Sequence, residues 1–214
     1  MPEIADAPAV LGVGSRATRL VPSTLSTRLN ADPPHREAAR AFQAARHAFF
    51  AGEKIEMGPL AAELGVDRTS LFRWVGNRDE LLAEVLWSLA EASLDHAESA
   101  SAGEGATRVV DILGRFVDGL VTADYFRRFL AREPQRALRL MTTSVSEIQR
   151  RYVAAVEELL ATHVPAAGSP GLPQHDLAYL IVRISETFSY ADLIAGEEPS
   201  AERARAAFAL VLGA

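Results

Sequence analysis

The residues best equipped for chemistry lie in one short stretch, Asp67 to Arg78. Arg68, Thr69, Ser70, Phe72, Arg73 and Trp74 crowd two guanidinium groups, two hydroxyls and two aromatic rings together. Leu71 and Val75 stand four residues apart and face inward if the stretch is helical, which leaves most of the others outward. Hydroxyls and backbone N–H groups at a helix N-terminus take phosphates, and an arginine fork matches guanine O6 and N7. This is the chemistry of reading duplex DNA in its major groove. Arg78, opening the next helix, is placed to reach a phosphate. From Val66 to Arg78 three arginines oppose Asp67 alone, a local balance of +2. The competing reading of Phe72 and Trp74 is plain packing between this helix and the next.

Other chemistries find little support. The chain carries a formal net charge of -6, so a DNA-binding face must be local. Of its 22 basic residues only Lys54 is lysine, a bias that a GC-rich genome also produces. There are no cysteines, which removes disulfides, thiolate nucleophiles and cysteine-based zinc sites. His35, His47, His96, His163 and His175 are dispersed, and Asp95-His96 and His175-Asp176 are sequence neighbours that do not face each other on a helix. Gly12-x-Gly14 lacks both a preceding strand and a third glycine, so it is a poor dinucleotide signal. No enzyme, metal or cofactor is expected. No run approaches the roughly 20 apolar residues of a membrane span. The start Met-Pro-Glu is not followed by the basic and apolar blocks of a secretory signal. The expectation is a cytoplasmic protein without a membrane partner.

The elements that must position these residues are helical. Hydrophobic residues make up 49% and charged residues 23% of the 214. Alanine is abundant and β-branched runs are rare, so the fold class is all-α. Residues 1–34 are rich in Pro, Ser and Thr and read as a flexible tail, with Arg16, Arg19 and Arg28 as a candidate DNA-following arm. Ala38, Phe42, Ala45 and Phe49 mark one helix face ending near Gly52. A second short helix runs from about Met57 to Leu64, with Pro59 in its first turn and Gly65 as its stop. Asp67 caps a third, and Asn77-x-x-Glu80 is a capping box opening a fourth. The corner Gly65-Val66-Asp67 is tight enough for a helix-turn-helix. Further helices are expected over 106–121, 125–131, from Pro134, from a Ser144-x-x-Glu147 capping box to about His163, over 173–195 and over 200–212. A Pro/Gly-rich loop follows Val164.

The stretch Leu-Ala-Ala-Glu-Leu-Gly-Val-Asp-Arg-Thr-Ser-Leu-Phe-Arg-Trp-Val-Gly-Asn-Arg-Asp-Glu-Leu-Leu resembles the helix-turn-helix signature of the TetR family of bacterial repressors. Leu60-Ala61, Gly65-Val66, Ser70-Leu71-Phe72, Trp74-Val75, Arg78 and Leu81-Leu82 fill the matching places, and the likeness spans residues 36 to 82. The departures are Met57-Gly58 where Thr or Ser opens helix two, Phe72 for Tyr, Trp74 for His, Arg78 for Lys and Asp67 for Ser. They imply an atypical operator. The resemblance implies a DNA-binding domain over 35–80 and a helical ligand-binding and dimerisation domain over 81–214.

The residues allow that second domain independently. Leu177, Leu180, Ile181, Ile184 and Phe188 form an apolar stripe, and Ala204, Phe208 and Val211 a small-residue surface. Two such helices per subunit suit a four-helix dimer interface. Trp87, Phe116, Leu120, Tyr125, Phe126, Phe129, Met141 and Tyr152 are candidate pocket walls. Arg183, Glu186, Tyr190 and Asp192, polar residues on an apolar helix, are candidate anchors, and the competing reading is a surface ion pair between Arg183 and Glu186, three residues apart. The pattern around Leu-Val-Pro-Ser-Thr-Leu-Ser-Thr-Arg-Leu-Asn also resembles a narrower group, the QsdR-type regulators of quorum-sensing lactone degradation. That likeness implies an acyl-lactone or fatty-acid-like ligand. The expected partners are therefore double-stranded operator DNA, a small hydrophobic ligand and a second copy of the chain. The expected function is a ligand-released repressor. The alternatives are an activator on the same fold, or a small-molecule or lipid-binding helical protein without DNA binding.

Overall fold

The computed structural model describes residues 16–164 and 172–214. Every regular element among them is a helix. In chain order they are α1 (Arg16–Leu20), α2 (Thr24–Leu29), α3 (Arg36–Phe50), α4 (Met57–Leu64), α5 (Arg68–Val75), α6 (Arg78–Ala100), α7 (Gly105–Thr122), α8 (Asp124–Arg132), α9 (Pro134–Thr142), α10 (Ile148–His163), α11 (Gln174–Ser189), α12 (Ala191–Ile194) and α13 (Ala201–Leu212).

Local sequence sets the first boundaries. Gly65 takes a left-handed conformation (φ 68°) to close α4, so the chain turns straight into α5. The Asp67 side chain accepts from the Ser70 N–H at 2.8 Å and caps α5. Both arms of the Asn77/Glu80 capping box form. Packing then fixes the arrangement. Ala38, Phe42, Ala45 and Phe49 of α3 are buried together with Leu60 and Leu64 of α4, Leu71 and Val75 of α5, and Leu81 and Leu82 of α6. Phe126, Phe129, Leu130 and Leu140 of α8 and α9 belong to the same cluster. A second core joins α6, α7, α10, α11 and α13 around Trp87, Leu113, Val156, Ile181 and Phe208. Helix α6 runs through both.

Three elements depart from the sequence reading. The first is the expected tail, which is ordered and packed from α1 onward. Ala17, Leu25 and Leu29 are buried, and their apolar area outweighs the ordering of a Ser/Thr-rich segment. Ser23 caps α2 in a capping box that spacing alone did not reveal. Arg28 is turned inward and not outward as an arm. Gly12-x-Gly14 lies outside the described residues, as does most of the expected loop after Val164. Second, Ser144 does not cap α10. The neighbouring Ser146 accepts from the Ile148 N–H at 3.2 Å while donating to the Leu140 carbonyl at 2.6 Å. Third, the helix expected over 173–195 breaks at Tyr190 (φ -117°, ψ 22°), which lets its ring turn into the core against Met141.

Candidate DNA-reading face and ligand cavity

Helix α5 presents Arg68, Thr69 and Arg73 to solvent. The Arg68 guanidinium lies 5.5 Å from the centroid of the Phe72 ring, which props it at the helix N-terminal end. Ser70 is half-buried and its hydroxyl donates to Asp67 at 2.6 Å, so it is spent on capping. That bond, with the Ser70 N–H, holds the Asp67 carboxyl below its ordinary range. Phe72 and Trp74 are half-buried and rest on the first core, so part of each ring packs as the competing reading had it. No side chain caps α4, and space beside Gly58 is open. Lys54, Gly58, Arg68, Phe72 and Arg78 border a cleft of about 640 Å³ between α4 and α5.

Arg78 requires a correction. Its fork grips Glu133 with bonds of 2.7 and 2.6 Å, and its Nε donates to the Ile55 carbonyl. With all three nitrogens engaged it is an interdomain tie and not a waiting phosphate contact. The pair pulls the Glu133 carboxyl down and raises Arg78. Around it, Arg136 and Arg139 both pair with Asp79, and Arg136 also reaches Glu133 at 2.9 Å. Arg132 donates to the Gly52 and Glu53 carbonyls at 2.7 and 3.0 Å. The α8–α9 corner is thus bolted to the loop before α4 and to the start of α6. Spacing offered no signal for this, because Glu133 is 55 residues from Arg78.

Arg28 makes a second unforeseen tie. It donates to the Arg73 and Trp74 carbonyls at 2.6 and 2.7 Å, at the C-terminal end of α5. These are carbonyls that a helix end leaves without partners.

A cavity of about 60 Å³ lies between the two cores. Trp87, Phe116, Leu120, Tyr125, Phe126, Met141, Tyr152 and Tyr190 wall it. These eight meet as the sequence reading grouped them. Phe129 does not take part. It sits edge-on to Phe49, 5.4 Å between centroids, inside the first core. Arg183 does not line the cavity either; it stands on the surface, and Asp192 pairs with Arg127 at 2.5 Å. Besides Tyr190, Glu186 is the candidate anchor that reaches the cavity, with its side chain 5% exposed. Burial pushes its carboxyl up to about 7, against pulls from Arg183 and Gln149. The Arg183 guanidinium comes within 2.5 Å of Glu186 Oε2 without completing a hydrogen bond. The Tyr152 hydroxyl donates to Ser185 at 2.9 Å, and the Tyr190 hydroxyl has only the Met141 sulfur at 3.5 Å. Desolvation and the Glu186 charge raise both phenols well above the ordinary range.

The stripe assigned to a dimer interface divides. Leu177, Ile181, Ala204 and Phe208 are buried inside the subunit's own second core, a correction to the sequence reading. They are the inward face of two amphipathic helices, and periodicity does not tell an inward stripe from an interface stripe. Leu180 is exposed, whereas Ile184, Phe188 and Val211 are half-buried and rest against that same core. Leu210, missed in that list, is 84% exposed.

Among the described residues no helix is long and apolar enough to cross a membrane. The family profile described as tetracyclin repressor-like, C-terminal domain, matches residues 104–213. The solved structure of the transcriptional repressor QsdR of R. erythropolis, from the TetR family, is similar with a TM-score of 0.74 and 33% identity. That match covers 81% of this chain and 93% of the QsdR chain. No curated protein sequence matches. The helical C-terminal body agrees with both matches. The chain belongs to the TetR family of transcriptional regulators.

Proposed function

We propose that this regulator is a homodimeric repressor whose hold on its operator is released when an amphiphile, acyl-lactone or fatty-acid-like, enters the cavity between α6, α7, α8 and α11. One observation carries the reading: the same two helices wall the cavity and grip the DNA-binding domain. Helices α8 and α9 and the corner between them lend Tyr125, Phe126 and Met141 to the cavity, and Arg132, Glu133, Arg136 and Arg139 to the ties on the loop before α4 and on the start of α6. Tyr125 also stacks on Phe50 of α3, 4.4 Å between centroids.

A cavity of about 60 Å³ is far below the roughly 300–1,000 Å³ of ordinary ligand sites. An acyl chain must therefore push walls apart. The wall able to move is the short α8–α9 corner, since α6, α7 and α11 are long and packed on one another. Its displacement drags the arginine ties and shifts α5 relative to the twofold axis. Two recognition helices need a separation near one duplex turn, roughly 34 Å, so a small rotation lowers affinity. The effect is limited to the ligand's differential affinity for the two states, typically about 1–3 kcal/mol. The exposed Leu180 of α11 and Leu210 of α13 support the dimer.

The test is a gel shift on the DNA upstream of the protein's own coding region, with a panel of acyl lactones and fatty acids. A specific shift reversed by one compound is expected. A shift indifferent to the whole panel would sink the ligand reading, and no shift at low salt from a folded dimer would sink the operator reading.

A further inference from the structure

Among the described residues four cations border the α4–α5 cleft, and three of them are spent. Lys54 pairs with Glu56, Arg78 with Glu133, and Arg136 with Asp79 and Glu133. Arg68 is the exception: no acid or carbonyl among the described residues engages it, and its guanidinium has only the Phe72 ring, 5.5 Å away. Its sequence neighbour Asp67 does not compete, because both carboxylate oxygens accept from Ser70. Phe72 stands four positions on and so shares a helix face with Arg68. The ring is anchored where its cation is not. It is half-buried and rests on the first core, in a helix whose Leu71 and Val75 are fully buried.

We propose that Phe72 is the positioning residue of operator recognition: its ring holds Arg68 at the N-terminal end of α5 for a guanine in the major groove, so that base choice depends on the pair and not on Arg68 alone. An aromatic face attracts the guanidinium charge without taking its N–H donors in conventional bonds, so the fork stays available for guanine O6 and N7. A long side chain that waits free in water gives up rotamer freedom when it docks, and one already resting on a ring gives up less. The approach is open as well: no atom lies within 4 Å of where a Cβ on Gly58 would stand, at the α4 border of the same cleft. The tyrosine that the family signature places at position 72 would offer the same shelf, since the ring and not a hydroxyl does the positioning.

The inference rests on α5 reading the operator, and the test separates the two. The full-length wild type selects a duplex from a random-sequence pool. Fluorescence anisotropy then follows that duplex, versions with each G·C pair changed in turn, and a scrambled duplex. One guanine should matter to the wild type and not to Arg68→Ala. Phe72→Leu should lower the preference for that guanine about two- to fivefold, the scale of an exposed cation–ring contact, with scrambled-duplex binding and its salt slope unchanged. Phe72→Tyr, which keeps the ring, should retain the full preference whatever its hydroxyl adds to overall affinity. In the Arg68→Ala background Phe72→Leu should change nothing further at that base pair. Phe72→Met fills similar space without an aromatic face and takes the place of Phe72→Leu if that variant does not fold. Equal losses on selected and scrambled duplexes, a preference lost in Phe72→Tyr as well, effects that add in the double variant, or no guanine that separates wild type from Arg68→Ala would each overturn the positioning role and leave operator binding standing. A pool that yields no duplex bound above the scrambled one overturns both.

Discussion

Arg151 of α10 and Glu84 of α6 form an ion pair 2.9 Å long, with side chains 1% and 8% exposed. The rest of the arginine fork is filled from the N-terminal segment, by the Val21 carbonyl at 2.8 Å and the Ser26 hydroxyl at 3.1 Å. Ser23 donates to the second Glu84 oxygen at 2.7 Å. Nearby, Trp87 donates to Thr18, which in turn donates to Glu91, both at 2.7 Å. A buried pair is tolerable because all three guanidinium nitrogens and both carboxylate oxygens have partners, and Val21, Ser23 and Ser26 of the N-terminal segment supply those outside the pair itself.

Breaking one side of that pair is costly. Arg151→Met should lower unfolding stability by about 3–5 kcal/mol, since it strands a buried carboxylate. The double variant with Glu84→Gln should recover much of the loss. Urea denaturation of the wild type and both variants measures this, and equal losses in single and double variants would refute it.

Arg28→Ala removes the tie on the end of α5. Amide exchange in α5 should quicken about tenfold, equivalent to about 1.4 kcal/mol of local opening, with α13 unchanged. Hydrogen-exchange mass spectrometry reads both helices in one experiment.

The arginines of the DNA-binding domain should separate by role. Arg68→Ala should cost about 1–3 kcal/mol at one base pair and relax discrimination there. Arg73→Ala should weaken all sequences alike and lower the salt slope by about one. Arg78→Ala should leave that slope unchanged while abolishing ligand-induced release, because its fork holds Glu133. Fluorescence anisotropy on operator and scrambled duplexes across salt concentrations distinguishes the three.

Glu186 links stability to pH. Its carboxyl sits at about 7 when folded, against an ordinary 4.5, so the folded chain binds more protons than the unfolded chain between those values. Stability from this group is full below pH 4.5 and is lost as pH rises to 7. Compared with Glu186→Gln, the wild type should lose roughly 3 kcal/mol across that window. Thermal melts of the pair at pH 5 and pH 8 check the sign, and a wild type that gains on the variant as pH rises would contradict it.

Local signals in the sequence marked α3 to α6 well. Caps, left-handed glycines and apolar spacing act within a few residues, so Asp67, Gly65 and the Asn77/Glu80 box could be placed without a structure. The cavity walls were legible because aromatics on α6, α7, α8 and α10 had to face some core. Illegible were the partners that only tertiary packing supplies. Glu133 on Arg78, Arg28 on the α5 carbonyls and Ser26 on Arg151 join residues far apart in the chain, and no period or spacing encodes them. The N-terminal segment was misread because its composition suits a tail, while its few apolar residues, Ala17, Leu25 and Leu29, find room in cores already built by others.

That segment also orders events in time. Val21 and Arg151 are separated by 130 positions, and synthesis delivers the earlier one first. While the ribosome is still making α10, Arg28 has no anchored strap from which to hold the end of α5. The recognition helix can fold with α3 and α4, but its last carbonyls are secured only after most of the chain has emerged. A nascent or prematurely ended product therefore carries a looser reading head than the finished protein, which limits partial chains as competitors for the operator.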